Sequence, residues 1–189
     1  MDGLRHQRHG CALWREGDRA VGPHAPSRPS LPRLLTLLDF VAKGELYALF
    51  HLVSLRGLRR GEACGLRWED VDLKSKTVTI ATQLVEENGG VIGESAPKSD
   101  AGNRVVALDV GTIAVLRKHR ARQGKAQLAA GEAWVDSGRV FTRATGEWLP
   151  PDWLSDHFDR LVRSSGLPPI RLHDLRHGAQ PSPSRRAPK

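Results

Sequence analysis

The stretch Glu45–Leu55 limits the possible folds of this chain more than any other. Seven of its residues are large and apolar (Leu46, Tyr47, Leu49, Phe50, Leu52, Val53, Leu55), and they fall on nearly every side of a helix. A helix apolar all round must be covered all round, so the chain is predicted to fold about it as a buried central element, broken at Gly57. Just before it, Leu34, Leu35, Leu37, Leu38 and Val41 form the stripe of an amphipathic helix that ends near Gly44.

Downstream the period changes. A short helix is predicted from about Arg59 to Leu66, followed by a Trp68–Asp72 connector. Val78, Ile80, Thr82 and Leu84 then alternate with Thr77, Thr79 and Ala81, as on a half-buried strand. Asn88-Gly89-Gly90 supplies a turn, Val91-Ile92 a second strand, and Arg104–Leu108 a third. Helix resumes from about Thr112 to Ala129, with a basic outer face (Arg117, Lys118, Arg120, Arg122, Lys125). Val140-Phe141 reads as a short buried element. Pro150-Pro151-Asp152 opens a helix over Trp153–Ser165 that buries Leu154, Phe158, Leu161 and Val162, and another helix starts near Asp174. The pattern predicts a mainly α domain with one small antiparallel β-sheet, an α+β fold over residues 33–178. Residues 1–32, with Pro23, Pro26, Pro29 and Pro32, and residues 179–189, rich in Pro, Ser and Arg, are predicted to be disordered flanks.

The chain has 189 residues and a net charge of +8. Residues 33–178 hold 21 basic against 18 acidic residues, so five of the eight charges belong to the flanks. Arg supplies 22 of the 29 basic residues, which suits bidentate phosphate contacts and equally fits a coding bias toward Arg. Two cysteines make no disulfide framework and point to a reducing, cytoplasmic setting. The amino-terminal residues lack the apolar core of a signal peptide, and no apolar run approaches the ~18 residues a membrane span needs. Secreted mini-proteins, membrane proteins and acidic tails are excluded.

Three polar clusters fall at predicted element ends. Arg59-Arg60-Gly61-Glu62 follows the buried helix; Arg59 there could bind a phosphate, or form an ordinary surface pair with Glu62 worth a few tenths of a kcal/mol. Lys98 lies in the turn-rich segment Pro97–Asn103, where it could protonate a leaving oxygen or simply be solvated. His173, Arg176 and His177 share one helical face, where a guanidinium and an imidazole could serve a phosphoryl transition state. His173 and His177 also have the i, i+4 spacing of a zinc-dependent hydrolase. Against that alternative, Asp174 stands where the H-E-x-x-H pattern has Glu, and a third ligand would have to come from upstream.

Together the clusters resemble one family. Leu55–Asp72, containing Arg59-Arg60-Gly61-Glu62, is similar to the first arginine box of the tyrosine recombinases, the phage-integrase family. Ala96–Arg104 resembles its β-hairpin lysine segment, and His173-Asp174-Leu175-Arg176-His177 its second box, H-x-L-R-H. The order agrees as well, over about residues 33–178. The resemblance implies a tyrosine-recombinase-like catalytic domain that breaks and rejoins double-stranded DNA without metal or small-molecule cofactor, alongside other recombinase protomers. It would be nucleoid-associated when bound to DNA. It further implies that Arg59 and Arg176 stabilise the phosphoryl transition state, Lys98 is the general acid, His173 transfers protons, and Glu62 orients neighbours. Arg59, Lys98, Arg176 and His177 would contact DNA.

The sequence departs from the family in two places. The family pattern continues past the second box to a nucleophilic tyrosine, whereas here AQPSPSRRAPK follows Gly178, and the single tyrosine is Tyr47, on the buried helix. The amino-terminal DNA-binding domain usual in the family has no counterpart in residues 1–32. The sequence therefore predicts a C-terminally incomplete catalytic domain. It would be an inactive fragment that at most binds DNA, or a non-enzymatic DNA-binding or decoy module. A third expectation is that apolar surface of Leu46–Leu55 or Trp153–Val162 is left uncovered, compromising the fold.

Overall fold

The computed structural model describes residues 29–86, 92–96 and 103–176. At its centre is α2 (Tyr47–Arg56), in which every residue from Ala48 to Ser54 is buried. Helix α1 (Leu31–Phe40) lays Leu34, Leu37 and Leu38 against it; this helix begins two residues earlier than predicted because Pro32 fits its first turn. On another side α5 (Pro151–Ser165) buries Leu154, Phe158 and Val162, and the rings of Phe50 and Phe158 meet at 5.4 Å between centroids. The long helix α4 (Val110–Ala130) closes the core with Ile113 and Leu116, and its start is capped by the Asp109 carboxylate, which accepts from the Thr112 N–H at 2.6 Å. The expected uncovering of the Leu46–Leu55 and Trp153–Val162 helices is found in part: Leu49, Leu52, Leu154 and Phe158 are wholly buried, whereas Tyr47, Trp153 and Leu161 are only partly covered and line an open apolar cleft.

The small sheet is divided in two. Strands β1 (Val71–Asp72), β2 (Thr77–Ile80) and β5 (Arg104–Ala107) form an antiparallel sheet in the order β1-β2-β5. The single strand predicted through Val78–Leu84 breaks after Ile80, and β3 (Gln83–Glu86) pairs with β4 (Ile92–Ser95) as a separate hairpin. The cause is the short helix α3 (Arg60–Gly65), which packs directly on β3. A Cβ added to Gly65 would stand 2.8 Å from Gln83 Cα, and one added to Gly61 2.5 Å from Leu84 O, so only glycine permits this approach. The Thr82 hydroxyl seals the break by donating to Gly65 O at 3.0 Å. Glu94 on β4 ties the hairpin down from the other end, accepting from both Arg67 and the buried Arg139.

Candidate functional site

Three segments meet beside α3. Gly57, at φ +70°, ends α2 in the left-handed region and turns the chain so that Arg59 becomes the residue preceding α3. A Cβ on Gly57 would lie 3.8 Å from Arg176 O, which brings the end of α6 (Leu172–Leu175) alongside. Strand β5 contributes its first residue, Arg104.

Glu62 organises the convergence. Its side chain is fully buried. One oxygen accepts from Arg59 Nη1 at 2.7 Å and the other from the Arg59 backbone N–H at 2.7 Å. Arg104 approaches both oxygens as a fork, Nη1 to Oε1 and Nη2 to Oε2, each at 2.9 Å. Burial pushes the Glu62 carboxyl up, but the Arg104 and Arg59 hydrogen bonds outweigh it and hold the group below its ordinary value. The same fork holds the Arg104 guanidinium above its own. Arg176 is lowered, by burial first and then by its like-charged neighbours Arg59 and Arg104, with Glu62 opposing. Two guanidiniums thus hold one carboxylate and a third, Arg176, is near enough to feel its charge, a surplus of two positive charges among these four side chains. Such a surplus suits an oxyanion carrying more than one charged oxygen, as a DNA phosphate becomes in an in-line displacement.

His173 and Arg176 line one cleft of about 450 Å³ with Arg60, Ser155 and Asp159. Arg60 itself turns to α5, donating to Ser155 Oγ at 2.8 Å and pairing with Asp152 at 2.7 Å. Of the residues singled out in the sequence, Arg59, Glu62, His173 and Arg176 are therefore gathered around α3 and α6. Lys98 and His177 lie outside the described residues. Arg104 was missed. It read only as a strand start, although a buried acid between two glycines on a six-residue helix called for a second cation to neutralise it.

No tyrosine lies at this cluster among the described residues. Tyr47 opens α2, roughly 14 Å along the helix axis from Arg56 at the other end, the end that leads to Arg59. It lines a separate, largely apolar cleft of about 700 Å³ with Phe40, Leu46 and Trp153, and its ring lies 5.8 Å from that of His51. Cys64, in α3, is buried, which pushes its thiol up to about 12 and leaves it inert. For the zinc alternative, no group of three His, Cys, Asp or Glu side chains able to hold a metal is found among the described residues. No helix among them is long and apolar enough to cross a membrane.

The fold is that of known recombinase catalytic domains. The Phage integrase family matches residues 30–180, and the chain belongs to it. A tyrosine recombinase XerC-like protein of Caldanaerobacter subterraneus subsp. tengcongensis is 31% identical over 144 residues, 70% of this chain and 37% of its own length. An integrase of Streptomyces ambofaciens is 30% identical over 135 residues, 66% of this chain and 34% of its own length. The chain thus spans under two fifths of these relatives. Among solved structures, the Tn1549 transposon integrase in complex with transposon right end DNA superposes with a TM-score of 0.68 at 19% identity, over 86% of this chain and 54% of that one. The XerA recombinase does so with 0.60 at 19% identity, over 84% and 50%. At that identity they establish the fold, a tyrosine recombinase catalytic domain that is mainly helical with small antiparallel sheets.

Proposed function

We propose that this 189-residue chain binds duplex DNA by seating a backbone phosphate on Arg59 and Arg176, and that alone it does not cleave the strand. The observation that carries the first half is the Glu62-centred cluster. A buried carboxylate fixes Arg59 in place from behind, and Arg176, lowered first by burial, is close enough to Arg59 to be lowered further by its charge. Such preorganised guanidiniums neutralise charged phosphate oxygens. We assign His173, which lines the same cleft as Arg176, to hold or move a proton at a phosphate oxygen. Lys98, between β4 and β5 in the sequence, is assigned a further cationic contact to the DNA.

The second half rests on Tyr47. A tyrosine recombinase forms its covalent link through a phenol, and the single tyrosine of the 189 residues faces a different cleft. A duplex nicked to trap any covalent intermediate tests this. The chain should retard the duplex in a native gel yet leave no SDS-resistant protein–DNA adduct. An adduct abolished by Tyr47→Phe would overturn the proposal.

A further inference from the structure

We propose that Arg104 is a positioning residue of the phosphate site: it acts on Arg59 through Glu62 and does not itself touch the phosphate. This rests on the phosphate-binding reading above and assigns a role to a residue that reading leaves without one.

A carboxylate has four lone-pair positions, and Glu62 is fully buried, so protein donors must fill them. Arg59 supplies two, its backbone N–H and Nη1, and Arg104 the other two through both of its terminal nitrogens. With Nη1 and Nη2 both committed to Glu62, the Arg104 fork has its flat edge turned toward the acid, away from any ligand that would need the same edge. Arg59 differs. Only Nη1 meets Glu62, and its side chain is 46% exposed, against 28% for Arg104. Arg59 is therefore the guanidinium offered outward, and Arg104 the one that satisfies the carboxylate from the sheet side.

Removing the Arg104 fork would leave two lone pairs of a buried carboxylate empty. The second terminal nitrogen of Arg59, on the guanidinium already bonded to Glu62, is an unspent donor close by. Glu62 would then draw Arg59 into a fork of its own, and the outward-facing edge that meets the phosphate would be lost. Arg104 is also the first residue of β5, anchored to β2 opposite Ile80. Its pair with Glu62 consequently fixes α3 to the three-stranded sheet as well as fixing the acid.

A double-mutant cycle on the full chain separates the two roles, read as affinity for a 30-base-pair random duplex at one fixed low salt concentration. Arg104→Gln should weaken binding roughly fivefold in the wild-type background and less than twofold in the Glu62→Gln background, because the neutral amide no longer captures Arg59. An equal loss in both backgrounds would mean direct phosphate contact and would overturn the proposal. Arg104→Lys keeps the charge but cannot fork, so it should bind nearly as weakly as Arg104→Gln; wild-type affinity in that variant would also overturn it. Unfolding curves restrict the comparison to folded variants, and Arg104→Lys, the gentlest change, supplies it should the Gln variant unfold. A wild-type chain that bound no duplex would contradict the proposed function instead. The role of Arg104 would still be read from the Arg59 guanidinium nitrogen signals in NMR, which should shift in Arg104→Lys, whereas unmoved signals would reject it.

Discussion

Glu62 shows how one side chain can determine the character of a site. Unpaired, a carboxylate buried this deeply would be expelled or protonated; surrounded by Arg59 and Arg104 it stays ionised and holds its neighbours in register. Because its folded pKa lies below the unfolded value, the stabilisation is complete above about pH 4.3 and is lost as pH falls from there through the folded value. His51 and His119 are buried with pKa values lowered chiefly by burial, so their contribution disappears in a separate window beginning at about pH 6.5. Thermal unfolding from pH 7 to pH 2.5 should therefore fall in two stages. Glu62→Gln should lower stability by about 3 kcal/mol at pH 7 and flatten only the lower stage. An unchanged lower stage would remove Glu62 from its cause.

At the scale of elements, the contact between α3 and β3 decides how the hairpin lies. Gly65 is fully buried and its hydrogen points straight at the Gln83 backbone, so a methyl group there cannot be absorbed by a flexible side chain. Gly65→Ala should destabilise the chain by about 1–3 kcal/mol in urea titrations and weaken duplex binding at the same time, since α3 carries Glu62. Stability within a few tenths of a kcal/mol of wild type would refute the close packing. This contact also marks the limit of what the sequence made legible. Strong periodicity located the helices, from the all-round apolar α2 to the striped α5, to within a few residues. The alternation Val78–Leu84 did not reveal that its strand breaks, because Thr82 keeps the period while its hydroxyl leaves the ladder for Gly65 O. Short motifs in the sequence pointed to Arg59, Glu62, His173 and Arg176, which the fold gathers around α3 and α6. Arg104 was not legible, because its partner is 42 residues away and only the fold brings the two together.

For the molecule as a whole, the arrangement separates holding from attacking. The positive surplus lies where α3, β5 and α6 meet, near the carboxy-terminal end of α2, while Tyr47 sits at the other end of that helix among apolar side chains. The core around Ala48–Ser54 of the central helix is nevertheless buried, so the proposed phosphate site has a packed base that does not involve Tyr47. The salt dependence of duplex binding tests this claim most directly. The logarithm of the wild-type affinity should fall linearly with the logarithm of salt concentration, and Arg59→Ala and Arg176→Ala should each weaken binding and make the slope shallower by about one. Variants that keep the wild-type slope and affinity would show that DNA is held elsewhere, and would contradict the site described here.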